Sequence, residues 1–163
     1  MKIEHTIIDK IYYSYNTIHN IINTRINQII EFNPDYIIAI GGGGLIPARI
    51  IKTHIEKPIL VVSVSLYDNQ IKRDKVTVIQ WIPDNLRDKK ILLVDAIDDT
   101  RTTLKFCIDK LEKENNATNI STFVLHNKIK DKVDSLSTTN YIKGEEIKDV
   151  WVVYPWDHND FIN

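Results

Sequence analysis

The residues best suited to chemistry lie together in one short stretch, residues 91–103. Four apolar residues come first, acids follow at Asp95, Asp98 and Asp99, and a hydroxyl-rich turn then leads into a helix. Carboxylates at the end of a central strand can accept hydrogen bonds from sugar hydroxyls. Hydroxyls and free backbone N–H groups at a helix start can hold a phosphate. The stretch therefore predicts a site for a phosphorylated sugar, although an acidic surface turn after a core strand would contain the same residue types.

This stretch resembles the phosphoribosyl pyrophosphate (PRPP) motif of type I phosphoribosyltransferases. Its version Asp-Asp-Thr-Arg-Thr-Thr is similar to a purine branch of that family, which uses hypoxanthine, guanine or xanthine. The resemblance implies that Asp95 binds the ribose hydroxyls and that Asp99, near the purine ring nitrogens, is the general base. It also implies a 5′-phosphate loop, which comprises Thr100, Arg101, Thr102 and Thr103.

Some positions depart from the family pattern. Ala96 stands where the family has a second acid, which removes one ribose contact and weakens the electrostatic support for Mg²⁺. Arg101 stands where many relatives have glycine, so its side chain is expected to point outward. Asp98 matches no motif position and is expected to be solvated.

A glycine cluster lies between a predicted strand and a predicted helix and comprises Gly41, Gly42, Gly43 and Gly44. Glycine lets backbone N–H groups approach an anion closely. A simple tight turn would also explain the cluster, and the dinucleotide-binding spacing G-x-G-x-x-G fails after Gly44. The cluster resembles the family's pyrophosphate loop, which often contains a cis peptide bond. Many relatives have a cation where Gly42 stands, so pyrophosphate binding here would rest on backbone N–H groups.

The segment Trp151–Asp157 resembles the 6-oxopurine pocket of the family. The resemblance implies that Trp151 stacks on the base, that the Val152 backbone meets the purine edge, and that Asp157 lies near the pocket and its metal. It also implies that Lys128 reaches the purine 6-oxygen, because a cationic donor distinguishes a 6-oxo from a 6-amino group. An aromatic strand packed in the core and a surface lysine are the alternatives for these residues.

The segment from Ser63 to Asp68 resembles the start of a flexible loop that closes over PRPP, with Ser65 and Tyr67 as its candidate residues. Such closure would exclude water from an oxocarbenium-like centre. Residues 66–75 are polar and charged, so they are expected to form a mobile loop, and an ordinary surface loop is the alternative.

Strands alternate with helices along the chain. Predicted helices cover residues 14–32, 47–55 and 102–114, and predicted strands cover residues 36–40, 58–64, 76–82, 91–94, 120–125 and 150–154. This pattern predicts an α/β fold, a mostly parallel sheet flanked by helices, with ligands beyond the carboxyl ends of the strands. The resemblance implies the type I phosphoribosyltransferase fold, as a single domain over residues 1–163 with a small C-terminal base-recognition hood.

Composition restricts the function classes. The net charge is −1, which argues against a nucleic-acid partner, and no apolar run approaches the length of a membrane span. The single cysteine, Cys107, rules out an intrachain disulfide framework and suits a reducing compartment. A cytoplasmic protein is therefore expected.

The resemblance implies transfer of the 5-phosphoribosyl group of PRPP to hypoxanthine, guanine or xanthine in purine salvage. The products would be a nucleoside 5′-monophosphate and pyrophosphate. Mg²⁺ would be held mainly through PRPP, with Asp95 and Asp157 as candidate ligands through water, and a homodimer is expected. A non-catalytic PRPP-binding regulator on the same fold is the first alternative, favoured by Ala96 and Gly42. An unrelated α/β phosphate-binding enzyme is the second.

Overall fold

The computed structural model describes residues 9–68 and 71–158. Within them the helices are α1 (Tyr15–Phe32), α2 (Leu45–Ile55) and α3 (Thr102–Asn115). The strands are β1 (Lys10–Tyr12), β2 (Tyr36–Gly41), β3 (Ile59–Asp68), β4 (Ile71–Gln80), β5 (Lys90–Asp98), β6 (Asn119–Lys128), β7 (Asn140–Ile147) and β8 (Trp151–Val153). A 3-10 turn, Pro155–Asp157, follows β8.

The main sheet has the strand order β4-β3-β2-β5-β6-β7. Its strands run parallel except β4, which pairs antiparallel with β3. From β2 the chain proceeds to one edge of the sheet, and from β5 it proceeds to the other. The strand order therefore reverses between β2 and β5, and ligands of open α/β sheets bind in the crevice at such a point, beyond the carboxyl ends of the strands.

Both faces of the sheet are covered. Side chains alternate between the faces along a strand, so Leu92 and Val94 pack with α1 and α2, whereas Ile91 and Leu93 pack with α3. The central strand β5 is consequently apolar on both sides from Ile91 to Val94, as expected for a buried parallel strand. This packing fixes the position of the acids that follow Val94.

Helix α1 follows its sequence signals. The Ser14 side chain caps it by accepting a hydrogen bond from the Thr17 N–H at 3.2 Å. An apolar stripe buries Ile18, Ile22 and their neighbours one and two turns on against the sheet. The helix ends where Asn33 adopts the left-handed conformation, with φ of 50°.

The structure corrects the expected mobile loop at residues 66–75. Strand β3 extends to Asp68 and β4 begins at Ile71, so the described part of this segment is an antiparallel hairpin. Strand β4 is an edge strand, where charged residues are tolerated because one side of the strand needs no partner. Strand β7, at the other edge, was not predicted, because its sequence from Asn140 to Ile147 lacks an apolar run.

A second, two-stranded sheet forms the hood over the carboxyl end of the main sheet. Strand β1 pairs in parallel with β8, and the Tyr13 N–H donates to the Val153 carbonyl at 3.1 Å. The 3-10 turn follows directly. Among the residues described, no helix is long and apolar enough to span a membrane.

Candidate active site

Two adjoining cavities lie at the strand-order reversal. The smaller, of about 160 Å³, is lined by Asp98, Asp99 and the turn that starts α3. The larger, of about 440 Å³, lies between the glycine turn, the end of β5 and the hood. Asp95, Asp99 and Thr103 line both cavities, so the two form one continuous site.

The smaller cavity is closed by the phosphate turn, residues 99–103. Helix α3 begins here, and its first N–H groups have no acceptor within the helix. They lie at the positive end of the helix dipole. The hydroxyls of Thr100 and Thr102 lie 2.8 Å apart at the same place. Hydroxyls and unpaired N–H groups around a cavity of this size are suited to a phosphate group.

The structure corrects the expectations for Asp98 and Arg101. Arg101 adopts φ of 73°, but its side chain folds back and donates from Nε and Nη2 to one carboxylate oxygen of Asp98, at 3.0 and 2.8 Å. The Tyr141 hydroxyl donates to the same oxygen at 2.7 Å. Asp98 is only 1% exposed, so it is a buried anchor of the turn and not a solvated acid.

The glycine turn connects β2 to α2 and lies against the acids of β5. A Cβ added at Gly43 would lie 3.2 Å from Oδ1 of Asp95 and 3.1 Å from the Cβ of Ala96. A Cβ added at Gly44 would lie 2.2 Å from the carbonyl oxygen of Val94, so only glycine fits there. The peptide bond between Gly41 and Gly42 is cis, the feature expected of a pyrophosphate loop in this family.

Asp95 lies beneath the glycine turn at the junction of the two cavities. The pKa of its carboxyl group is raised from 3.8 to about 7, chiefly by loss of solvent and to a smaller extent by the nearby Asp98. A hydrogen bond from the Ala96 N–H, at 2.7 Å, acts in the opposite direction. Asp95 is therefore poised to change its protonation state near neutral pH.

Ala96 is 2% exposed and belongs to the core that packs with α1 and α2, and it also lines the floor of the larger cavity. Its carbonyl accepts a hydrogen bond from the Tyr154 hydroxyl at 3.1 Å. That hydroxyl also forms a hydrogen bond of 2.7 Å with Nδ1 of His126. Burial lowers the pKa of His126 to about 4, so its ring is neutral at physiological pH. The family's second acid is replaced here by a buried, uncharged network.

The larger cavity is lined on the hood side by the residues expected to bind a base. Trp151 is 54% exposed at the rim, Val152 is half-buried, and Asp157 is exposed. Trp156, which the sequence did not single out for the base, also lines the cavity and stacks on Tyr154 with ring centroids 4.6 Å apart.

Four charged side chains form a cluster beside the larger cavity: Asp99, Lys128, Lys130 and Asp149. The Lys130 ammonium lies 3.0 Å from Asp99 and 2.9 Å from Asp149. The Lys128 ammonium lies 3.6 Å from Asp99 and 3.3 Å from Asp149. Sequence reasoning missed Lys130 and Asp149, although lysine at every second position from Lys128 was a usable signal, since alternate residues of an extended chain face one side.

The structure brings most of the predicted residues together. The cavities are lined by Asp95, Asp99, Thr100, Arg101, Thr102, Thr103, Gly41, Gly43, Ser65, Lys128, Trp151, Val152 and Asp157. Gly42 and Gly44 shape the glycine turn without lining either cavity. Tyr67 belongs to β3, and its side chain lies outside the described part of the structure.

The family model of the phosphoribosyl transferase domain matches residues 6–158. Among characterised relatives, the chain is 37% identical to a hypoxanthine-guanine phosphoribosyltransferase of Schizosaccharomyces pombe, and the match covers 93% of this chain and 90% of the relative. It is 39% identical to xanthine phosphoribosyltransferase 1 of Saccharomyces cerevisiae, covering 93% and 91%.

Solved structures agree with this result. A protein of Neisseria gonorrhoeae, crystallised with bound ppGpp, superposes with a TM-score of 0.83 at 37% identity, covering 96% of this chain and 93% of the other. A purine phosphoribosyltransferase of Pyrococcus horikoshii superposes with a TM-score of 0.77 at 27% identity, covering 96% and 99%. The expected fold class is confirmed.

Proposed function

The chain belongs to the phosphoribosyl transferase domain family, and from that premise we propose that it transfers the 5-phosphoribosyl group of PRPP to a 6-oxopurine in purine salvage. The products are a nucleoside 5′-monophosphate and pyrophosphate. One observation carries the proposal: Asp95 and Asp99 lie between a cavity suited to a phosphate and a larger one closed by an aromatic hood. The yeast relatives, named for hypoxanthine-guanine and xanthine transfer, support a 6-oxopurine as acceptor.

We propose one orientation for PRPP in the site. Its 5′-phosphate takes the phosphate turn at the start of α3, and its pyrophosphate takes the glycine turn, whose backbone N–H groups supply the donors. Asp95 accepts hydrogen bonds from the ribose hydroxyls. This orientation directs the anomeric carbon toward the larger cavity, where the hood presents the base. Holding both reactants in this geometry replaces a bimolecular encounter by an effectively unimolecular step.

In the reaction, a purine ring nitrogen forms a bond to the anomeric carbon while the bond from that carbon to the pyrophosphate oxygen breaks. The sugar passes through an oxocarbenium-like state, as in glycoside hydrolysis. Asp99 takes the proton that the purine loses. Its carboxylate is held by Lys130 at 3.0 Å, which keeps it directed at the cavity. Ser65 belongs to the β3–β4 hairpin, which covers PRPP from the side of β3.

Phosphoribosyltransferases generally use a divalent metal, and we propose Mg²⁺. In the described part of the chain no three His, Cys, Asp or Glu side chains converge on a metal position. Three carboxylates, Asp95, Asp99 and Asp157, line the larger cavity, and Asp95 and Asp157 are the candidate ligands. This donor set fits an ion held mainly by the oxygens of PRPP, with these carboxylates acting through water. When bound, the ion would neutralise charge on the leaving pyrophosphate.

Base recognition is assigned to the hood and Lys128. Trp151 supplies a stacking surface for a purine, the Val152 backbone meets the purine edge, and the Lys128 ammonium donates to the 6-oxygen. Lys128 is only 8% exposed, so a hydrogen bond to the base would form away from bulk water. A buried donor favours a 6-oxo group over the 6-amino group of adenine. Hypoxanthine, guanine and xanthine all carry the 6-oxo group.

The assembly and setting of the enzyme are also part of the proposal. Both cavities are lined by residues between Ile40 and Asp157, which supports one domain carrying the whole activity. We propose a homodimer in the cytoplasm, since the family resemblance implies a dimer and the only cysteine, Cys107, is buried and unpaired. Light scattering of the purified protein checks the dimer.

The activity is tested with purified protein, PRPP and Mg²⁺, and with each of hypoxanthine, guanine, xanthine and adenine. We expect nucleotide from at least one 6-oxopurine and little from adenine. Lys128→Ala should weaken transfer to 6-oxopurines selectively, by about 1.5–3 kcal/mol for a lost charged hydrogen bond. Lys113→Ala, which removes an exposed lysine of α3, is the matched control. Adenine used as well as guanine or hypoxanthine would contradict the base assignment.

A second proposal concerns ppGpp, a guanosine with diphosphates on its 5′- and 3′-oxygens. We propose that it occupies the same site as a competitor, because the Neisseria gonorrhoeae protein that binds it is 37% identical over 96% of this chain. Its guanine would take the larger cavity and its 5′-diphosphate the phosphate turn. Titration of ppGpp at several PRPP concentrations should show competitive inhibition, and activity unaffected by ppGpp would contradict this.

A further inference from the structure

A single ammonium group connects the two halves of the site. The Lys132 side chain, from the segment after β6, turns back beneath the phosphate turn. Its Nζ lies 2.9 Å from the carbonyl oxygen of Asp98, 2.7 Å from that of Asp99 and 2.8 Å from that of Lys128. An ammonium has three N–H donors, so each is used by one main-chain carbonyl.

These carbonyls belong to both subsites. Asp98 immediately precedes the phosphate turn and Asp99 is its first residue. Lys128 is the last residue of β6 and is itself the proposed base-recognition cation. The neighbouring Val133 N–H donates to the carbonyl of Thr100 at 3.0 Å. Residues 132–133 therefore bind three consecutive carbonyls, those of Asp98, Asp99 and Thr100.

This arrangement determines where the N–H groups of the turn point. In a trans peptide the C=O and the following N–H lie in one plane and point in opposite directions. Carbonyls drawn toward residues 132–133 therefore leave the N–H groups of residues 99–101 directed away from that segment, and the same residues line the smaller cavity. A phosphate needs these donors to converge before it binds.

The Lys132 ammonium is held tightly. Its side chain is 14% exposed, and its nearest carboxylate oxygen, Oδ1 of Asp98, is 3.7 Å away. Hydrogen bonds from a charged donor are about twice as strong as neutral ones. Because Lys132 lines neither of the two cavities described, we assign its role to the conformation of the turn and not to contact with substrate.

We propose that Lys132 is a positioning residue that sets the conformation of the phosphate turn and ties it to the base strand. By holding the turn in this conformation, Lys132 increases the contribution of the 5′-phosphate to the affinity of the ligand. The proposal rests on the function proposed above, but it concerns binding and can be measured without turnover.

The experiment compares a nucleoside 5′-monophosphate with its nucleoside, guanosine 5′-monophosphate with guanosine, as competitors for the site. The ratio of their dissociation constants measures the contribution of the phosphate. Lys132→Met should weaken the monophosphate about tenfold or more and leave the nucleoside within about twofold. The reason is that two of the three lost charged hydrogen bonds hold the carbonyls at the start of the phosphate turn, whereas Lys128 keeps its place in β6 through the strand pairing. Lys132→Arg should keep most of the ratio.

Arg25→Met is the matched control. Arg25 also donates to two main-chain carbonyls, those of Lys143 and Gly144, at 2.9 and 3.2 Å, but far from the phosphate turn. Its loss should lower thermal stability without changing the ratio. If Lys132→Met does not fold, Lys132→Gln, which keeps a shorter neutral donor, should lower the ratio by an intermediate amount.

Each outcome is decisive. If the Lys132 variants leave the ratio of the two dissociation constants unchanged, the positioning role is overturned. This holds whether both ligands bind more weakly by the same factor, which would leave a structural role only, or neither is affected. A wild-type protein that binds the monophosphate but forms no nucleotide from PRPP would contradict the proposed function while leaving the Lys132 measurement intact.

Discussion

Asp95 combines two requirements that conflict in the free protein. A carboxylate must be ionised to accept both hydrogen bonds from a ribose diol, yet desolvation raises the pKa of this one to about 7. The free enzyme therefore holds a proton on Asp95 through much of the acidic range. In the proposed binding mode PRPP supplies hydroxyl donors that favour the ionised form, so we expect binding of PRPP to release that proton.

We predict that Asp95→Asn increases stability and reduces PRPP binding. Between pH about 4 and about 7 the folded protein keeps a proton that the unfolded chain has lost, so the stability of the wild type falls as pH rises through this window. The variant has no such loss, and its amide oxygen can still accept from the Ala96 N–H. Chemical denaturation should show it more stable at pH 8 by about 1–3 kcal/mol and equal near pH 4.

Calorimetric titration with PRPP completes the Asp95 test. Affinity of the wild type should rise between pH 5 and 8, and that of Asp95→Asn should be low throughout. A variant that is less stable than the wild type at pH 8 would show that the ionised carboxylate does not reduce stability. A variant that binds PRPP as the wild type does would show that this carboxylate does not contribute to PRPP binding.

Asp99→Asn should lower turnover about 10²–10⁴-fold, the usual contribution of one acid–base group, while PRPP binding stays largely intact. Single-turnover nucleotide formation measures the first effect and calorimetry the second. Asp149→Asn is the matched control, because Asp149 pairs with the same two lysines but lies outside the cavities. Full turnover by Asp99→Asn with every purine would contradict the base assignment.

At the scale of elements, the glycine turn is restricted by how closely α2 approaches β5. The atoms of Gly44 leave no room for a side chain, since an added Cβ would lie 2.2 Å from the Val94 carbonyl and 2.9 Å from the backbone of Ile40. An added Cβ at Gly42 would meet nothing within 4 Å. The two glycines thus serve different purposes in one turn.

We predict that Gly44→Ala destabilises the protein by about 1–3 kcal/mol or more, because a methyl group there must push α2 away from the sheet. Gly42→Ala should change the thermal midpoint much less. Differential scanning calorimetry of both variants measures the difference. Equal midpoints would show that α2 can shift without cost, and the close approach would then not be what requires glycine at Gly44.

The helices and the interior strands could be predicted from the sequence, because the helices carry apolar residues at helical spacing and the interior strands are short apolar runs. Helix α1 has a serine cap, an isoleucine stripe and a terminal Asn33. The edge strands were predicted only in part: the second half of β4 was predicted as a strand at residues 76–82, and β7 was not predicted. Strand β7 buries only one side of a polar sequence, and the first half of β4 is a charged stretch, so tertiary pairing and not local pattern makes these segments strands.

For the whole molecule, the sequence motifs predicted that the glycine turn and the phosphate turn belong to one site. These turns follow β2 and β5, the two strands between which the strand order reverses. The motifs could not predict the support behind those loops. The contacts of Lys132, the pairing of Asp98 with Arg101, and the Tyr154 hydrogen bond beneath Ala96 join residues 3 to 58 positions apart in the chain. Such contacts depend on the register of neighbouring strands.

Ligand binding should stabilise the whole fold by mass action. At 100 times its dissociation constant, a nucleoside 5′-monophosphate adds about 2.7 kcal/mol to the free energy of unfolding. For a chain of 163 residues, this raises the thermal midpoint by about 5–10 °C. The rise should increase with pH between 5 and 8 as Asp95 ionises. In Asp95→Asn only the titration of the ligand's own phosphate should remain, and an identical pH profile would exclude Asp95 as the linked group.

The placement of the three tryptophans gives the protein an optical signal of its own. Trp151 and Trp156 both line the larger cavity, whereas Trp81 donates to Asn115 at the far end of α3, a helix about 20 Å long. A purine in the cavity would quench the first two indoles by stacking or contact, and the emission of Trp81 would remain constant. Intrinsic fluorescence can therefore follow base occupancy in real time, without a label and without coupling to catalysis.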